Sequence, residues 1–230
     1  MERLDMHSTG IALAVLFLIA LGLMYRRDSK ALQAERSRLF DACLALFDHH
    51  RMTQQDAAWP VLVGAYDGYE VHIAPLVDDV TFRKVPSLWL LVTVKRELPM
   101  NGAVDLLARA QNTEFYSPAD SLPVRVVTPQ EWPSQTTIKA DRSAAELPLS
   151  VLDPHVRRFF GDPRAKEMLV TRHGVRMVYQ AQGADRSEYL VLRRAVFREA
   201  RLSAALVESL LDQAVQLCAD ITRGGVHGQA

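Results

Sequence analysis

Seven histidines, two cysteines and one pair of adjacent aspartates are the residues from which a metal site or a hydrolytic centre would have to be assembled. Their spacing argues against each use. His49 and His50 are neighbours, so on a helix their side chains diverge by about 100° and cannot hold one ion together. His72 falls in the middle of a strand pattern, and His155 and His173 have no second ligand at a metal-binding interval. Each reads as a surface or hydrogen-bonded histidine. Asp78-Asp79 is a two-carboxylate run in a loop before Val80, which reads as solvated rather than as a cation site. Cys43 and Cys218 stand at apolar positions of expected helices and read as buried free thiols in a reducing compartment. No serine or cysteine lies in a nucleophile-elbow context, and no glycine-rich loop joins a strand to a helix in the phosphate-cradling pattern. The expectation is therefore no catalytic residue, no cofactor and no metal, and a protein that is not an enzyme.

Charge offers a different kind of chemistry. Lys+Arg and Asp+Glu are equal at 27 each, so no global field points to nucleic acid. Between residues 150 and 201, however, eleven basic residues face six acidic ones. Arg157, Arg158, Arg193, Arg194 and Arg198 are the candidate docking face within that stretch, aimed at anionic headgroups or an acidic partner. Trp59, Trp89 and Trp132, with Tyr66, Tyr69 and Tyr116, read equally well as pocket lining and as core.

These groups need elements to position them, and the first element is an apolar one. Residues 9–25, TGIALAVLFLIALGLMY, carry no charge and predict a transmembrane helix at the short end of what spans a bilayer. Tyr25 closes the run at the interface, and Arg26 and Arg27 follow it. The trailing flank holds five basic residues (Arg26, Arg27, Lys30, Arg36, Arg38) against Arg3 alone on the leading side. That asymmetry predicts a bacterial inner-membrane protein with residues 1–8 outside and the C-terminal domain cytoplasmic. A cleaved signal peptide would want a basic leader, and this one holds Glu2 and Asp5.

Residues 26–50 predict a juxtamembrane amphipathic helix, with Leu32, Arg36, Leu39, Phe40, Cys43, Leu46, Phe47 and His50 on one stripe. Residues 51–222 predict one globular α+β domain, and residues 223–230 a disordered tail. Two runs, 60–66 and 69–75, flank Asp67-Gly68, a type I′ hairpin signal that pairs Tyr66 with Tyr69, Gly64 with Val71 and Leu62 with Ile73 on the buried face. A central strand over 87–98 follows, then Asn101-Gly102 as a turn into a strand over 103–109, and a short VRVV strand in a proline-rich crossing. Asp153-Pro154 and Asp162-Pro163 each read as a helix start. A second hairpin is expected at His173-Gly174, a strand over 187–197, and a last helix capped by Ser203.

The two halves echo each other, LVGAYDGYEV against LVTRHGVRMV and PSLWLLV against RSEYLVL, which raises an internal duplication. The fold class is α+β: hairpin units packed with amphipathic helices, in one sheet or a pair of small sheets. The apolar helix, the G-x-Y-x-G-x-x-V hairpin (Gly64, Tyr66, Gly68, Val71), the D-P-x-V motif (Asp153, Pro154, Val156) and the closing helix resemble a group of bacterial single-span membrane proteins. That resemblance implies an anchored, non-catalytic α+β domain. The function expected is an accessory or scaffold subunit that docks on a membrane-embedded partner, with a homo-oligomer compatible with the sequence. The alternative is a membrane-tethered protein that binds lipid or another small molecule.

Overall fold

The computed structural model describes residues 2–78, 85–111, 114–142 and 149–227, with the side chains of 2–10, 192 and 225–227 left aside. Within them the chain is α+β, as its sequence implies. One helix, α1 (Glu2–Ser37), is followed by strands β1 (His49–Thr53), β2 (Val61–Tyr66), β3 (Tyr69–Val77), β4 (Ser87–Lys95), β5 (Ala103–Ala108), β6 (Val124–Val126) and β7 (Thr136–Ala140). Helix α2 (Leu149–Phe160), strands β8 (Ala165–Thr171) and β9 (Gly174–Gly183), and helices α3 (Arg186–Leu192) and α4 (Ala204–His227) complete it. All nine described strands join one antiparallel sheet in the order β1-β2-β3-β4-β9-β8-β5-β7-β6.

The sheet has two unlike faces because side chains alternate along each strand. One face carries Leu62, Val71, Ile73, Leu88, Leu90, Val92, Val94, Met168 and Met177, all fully buried. Helices α2 and α4 cover it, with Leu210, Leu211, Ala214, Leu217 and Ile221 of α4 turned inward. The opposite face is crossed by the segment 114–121. Its central row, followed through the register, runs Arg51, Val63, His72, Thr93, Arg176, Leu169, Asp105, Lys139, Arg125.

The first hairpin forms as its turn dictates. Asp67 and Gly68 both take positive φ, 47° and 74°, and the pairs Tyr66–Tyr69, Gly64–Val71 and Leu62–Ile73 are those expected. The second hairpin closes one residue earlier than the sequence suggests. Thr171 pairs with Gly174, so Arg172 and His173 make the turn and Gly174 opens β9. Ser203 caps α4 through its hydroxyl, which accepts from the Leu206 N–H at 3.3 Å.

Several expectations fail, each for a local physical reason. The juxtamembrane helix ends at Ser37, continuous with the apolar run, and two 3-10 turns carry Leu39, Phe40, Cys43 and Phe47 into the core. His49 and His50 lie on the edge strand β1, which exists because β2 offers it an unpaired edge. Pro154 stands inside α2, which has already begun by Leu149, and Asp162-Pro163 forms a turn closed by the Ala165 N–H to the Asp162 carbonyl at 3.0 Å. The expected strand over 187–197 is helix α3 and the link that follows. There Asp185 is the N-cap and accepts from the Glu188 N–H at 3.0 Å. The echo of PSLWLLV is thus a helix, so the two halves share a hairpin but not a third element. Helix α4 continues to His227, into the stretch expected as tail; residues 228–230, Asp79 and Val80 lie outside the described residues. Among the described residues no helix is long and apolar enough to cross a membrane.

Gly174 shows how tightly the central strands approach. Its φ is 137°, and a Cβ there would meet the Val94 carbonyl oxygen at 2.1 Å. Gly174→Ala should therefore destabilise the fold by about 2 kcal/mol or more, through strain and a forced shift of β4. A urea unfolding midpoint unchanged from wild type would contradict this packing.

Candidate functional site

A large cavity lies where α1 leaves its apolar run and meets the domain. It encloses about 1210 Å³ between Leu32, Glu35, Arg36 and Arg38 of the α1 end, Trp59, and the α3–α4 link. The link is tied by hydrogen bonds to the end of α1 and the turn after it. The Glu199 N–H donates to Glu35 Oε1 at 3.1 Å, Arg201 Nη1 to the Glu35 carbonyl at 3.3 Å, and the Leu202 N–H to the Leu39 carbonyl at 3.0 Å. Trp59 is held edge-on by Phe197, centroids 6.1 Å apart, and the Arg36 guanidinium lies 4.9 Å over its ring. Arg36, Arg38, Arg194, Arg198 and Arg201 line the cleft against Glu35, Glu188 and Glu199, so it is basic on balance. Arg198 is paired with Glu188. Such a cleft, partly aromatic and rich in guanidinium groups, suits carboxylate or phosphate oxygens.

The opposite face of the sheet holds a second polar group of residues. Asp105 and Glu167 are 1% and 0% exposed, on neighbouring strands β5 and β8. Arg176 on β9 binds Glu167 through two parallel bonds, Nε to Oε2 and Nη2 to Oε1, both 3.0 Å. Its Nη2 also donates to the Tyr116 carbonyl at 2.8 Å. The Ser117 hydroxyl donates to Asp105. Burial pushes both carboxyls well above their usual range, and for Glu167 the nearby Asp105 charge adds to it; Ser117 and Arg176 pull in the other direction.

The residues singled out from the sequence divide. Arg194 and Arg198 meet in the cleft, and Arg193 is the left-handed C-cap of α3 with its guanidinium 5.9 Å from the Tyr189 ring. Arg157 and Arg158 sit instead on α2, bonded to Asp153 at 2.9 Å and to Gln216 at 3.3 Å, so the structure gives two basic groups and not one face. Tyr25 is 75% exposed on α1, and Arg26 and Arg27 follow it there, also exposed. His155 is buried and meets Asp220 at 2.8 Å, joining α2 to α4. Trp132 is core, its indole N–H donating to Asp153 at 2.7 Å. Cys43 and Cys218 are buried and free, with burial raising each thiol to about 11, which leaves neither as a nucleophile. Among the described residues no group of three or more His, Cys, Asp or Glu could hold a metal ion.

Sequence reading offered Trp59 as pocket lining or core but missed Arg36, Arg38 and Arg201 as its neighbours in the cleft, which only the docking of the α3–α4 link on α1 brings together. It also missed Asp105, Glu167 and Arg176. A signal for these existed: each interrupts an apolar strand with a charge, in AVDLLA, AKEMLV and GVRMV.

No family model matches the chain, and no curated protein matches it. Among solved structures it is similar to the crystal structure of the mycobacterial trehalose monomycolate transport factor A, TtfA. The TM-score is 0.39 and the identity 10%, over 84% of this chain and 93% of that one. Likeness at that level fixes neither family nor function.

The raised carboxyls carry a pH consequence. A carboxyl that holds its proton more tightly folded than unfolded favours folding fully at low pH, and that contribution is lost as pH rises through its raised range. Asp105→Asn removes one such group. Its stability relative to wild type should therefore grow as pH is raised from about 4 to about 8. Chemical unfolding midpoints of the two proteins across that range test it; a difference independent of pH would refute it.

Proposed function

We propose that the chain is a membrane-anchored accessory protein: α1 buries its apolar run in a bilayer, and the domain docks an acidic segment of a membrane-embedded partner in the basic cleft. The observation that carries this reading is the exposure of α1. Ile11, Leu13, Leu16, Phe17, Leu18, Leu23 and Met24 are each more than 60% exposed, on all sides of the helix, with no protein surface over them. A helix apolar all round and uncovered is stable only in a nonaqueous environment. The run from Ile11 to Tyr25 covers about 22 Å at 1.5 Å per residue, and Thr9 and Gly10 lengthen the uncharged stretch. That is short for a hydrocarbon core of about 30 Å and suits a locally thinned bilayer.

The charge asymmetry around α1 supports a cytoplasmic domain. The helix runs unbroken from Arg27 to Ser37, which holds Glu35 and the cleft about 14 Å beyond the arginine pair. A second reading, an anchored domain that binds lipid or another small molecule, has support in Val63, Ala74, Leu76 and Leu91, half-exposed on the opposite sheet face.

Full-length protein should stay with membranes after alkaline extraction, and the chain lacking residues 1–27 should be released. A reporter fused to the C-terminus should be active only in its cytoplasmic form. Recovery of the intact chain in the aqueous fraction would refute the anchor, and a periplasmically active reporter would refute the orientation. For docking, Arg194→Glu with Arg198→Glu should abolish co-purification of the partner from mild detergent while leaving membrane attachment intact. Unchanged co-purification, or a wild-type protein that migrates alone at monomer mass, would remove the accessory reading.

A further inference from the structure

Helix α3 reverses the usual arrangement of a surface helix, which buries its apolar residues and gives its charges to water. Here Glu188 is turned to the cleft, its side chain 22% exposed and bonded to Arg198, and Tyr189 is half-buried. Leu190 and Val191, by contrast, are 55% and 80% exposed. Beyond α1, the other large apolar side chains exposed among the described residues, Met52, Phe115 and Val127, stand singly, which is ordinary for a protein surface. Leu190 and Val191 are adjacent, and Arg186 falls on the same side of the helix as Leu190, one turn earlier.

Guanidinium groups surround this apolar pair. Arg186, Arg193 and Arg194 are exposed, while the carboxylates nearby are engaged within the protein: Asp185 accepts from the Glu188 N–H and the Ser187 hydroxyl, and Glu188 from Arg198. The outward face is therefore apolar at its centre and cationic at its rim, the composition of a helix that lies in a membrane interface. Its place in the fold agrees. The Asp185 N–H donates to the Val196 carbonyl at 2.9 Å, closing the base of a loop whose first limb is α3, and Arg193, at φ of 53°, turns the chain back. The returning limb runs with α1: Arg194 borders the same cavity as Leu32, the Glu199 N–H reaches Glu35 and the Leu202 N–H reaches Leu39. It leads away from the apolar run, so Leu190, Val191, Arg193 and Arg194 belong to the end nearest that run. Leu32 lies about 8 Å along the helix from Arg27, close to the depth of one headgroup layer, about 5–8 Å.

We propose that α3 is a second membrane contact: Leu190 and Val191 enter the interface of the bilayer that holds α1, and Arg186, Arg193 and Arg194 take the phosphates of anionic lipid headgroups. A guanidinium donates in pairs to phosphate oxygens, and each cation beside an anionic surface adds to the attraction. The proposal rests on the anchor reading, because two apolar side chains and a few cations hold a bilayer only weakly by themselves. It does not use the acidic partner, to which the cleft remains open. Contact through both α1 and α3 would fix the rotation of the domain about the α1 axis as well as its height above the bilayer.

The test uses the full chain with Val191→Cys, labelled with nitrobenzoxadiazole; Cys43 and Cys218 are buried, so the label goes to position 191. In phosphatidylcholine vesicles with and without phosphatidylglycerol, its emission should shift to the blue and be quenched by lipid that carries a doxyl group high on the acyl chain. Both effects should be stronger with phosphatidylglycerol present. The same label on Val127→Cys, a position 85% exposed beside β6 at the far edge of the sheet, should stay in water. Arg186→Gln with Arg193→Gln should remove the gain due to phosphatidylglycerol while the chain still floats with the vesicles. A floating chain whose label at position 191 stays aqueous in both lipids would overturn the proposal and leave the anchor standing, whereas a chain that does not float would remove both. Equal quenching at positions 191 and 127 would also overturn it. So would a blue shift that follows the protein-to-lipid ratio without doxyl quenching, which would give this face to a second copy of the chain.

Discussion

The pairing of β4 with β9 is the constraint on which the rest of the molecule depends. Strands 49–95 form a local meander, and β5 to β9 form a second set; only this seam makes them one sheet. It runs from Ser87–Gly183 to Lys95–Gly174, with one register shift between Leu88 and Trp89. On one side Leu90, Val92, Val94, Val175 and Met177 are fully buried, and α4 lies across both strands. Without the seam each half would present an apolar strand edge to water. The two ends of the seam are also its most specialised points: at one, Gly174 lets the backbones approach, and at the other the shifted register lies beside a cavity that Trp89 lines. Because the partners are far apart in sequence, this pairing closes a long loop and bears the entropy of closing it.

What could be read without the structure followed from how local each choice was. A type I′ turn fixes its own register, so Tyr66–Tyr69 and the buried face of the first hairpin were legible from Asp67-Gly68. The partners of β5 were not, because nothing in AVDLLA says that it lies between β8 and β7. HHRMT is wholly exposed and, Met52 aside, polar, and its extended form comes from the β2 edge. In α3 the apolar YLVL suggests a strand, yet Asp185 and Glu188 spell a capped helix start, and the cap decides the outcome. The α-helical continuation of α1 through Arg27 stops where Leu39 and Phe40 turn into the core, a tertiary event that overrides the helical stripe. For the cleft, Arg194 and Arg198 could be picked as charges, but their meeting with Arg36 and Trp59 depends on how the 194–202 link docks.

The buried charges on the opposite sheet face have a structural effect beyond any site they serve. Burying Asp105, Glu167 and Arg176 is unfavourable compared with apolar side chains of the same size. Their positions on β5, β8 and β9 are, however, tied to register. A one-residue slip of any of these strands would turn its charge toward α2 and α4, among the apolar Leu106, Met168 and Met177. The two-point contact between Arg176 and Glu167 would be lost as well. The network thus penalises wrong pairings more than it strengthens the right one, in a sheet whose helix-covered face is apolar along its inner strands.

Continuity between α1 and the domain decides what the cleft can reach. A flexible tether would let the domain search a wide volume, but α1 is one helix to Ser37, and Glu35 and Leu39 bind the α3–α4 link by hydrogen bonds. On the proposed reading, the cleft is therefore held at a fixed height and angle to the bilayer. Exposed charges act over only about 8 Å at physiological ionic strength, so Arg38, Arg194 and Arg201 cannot attract a partner that passes at a distance. The partner must present its acidic group close to the membrane surface, at the level where the helix emerges. On that reading, a rigid helix, a short range of action and a basic cleft at its base suit a membrane-embedded partner better than a protein diffusing in the bulk.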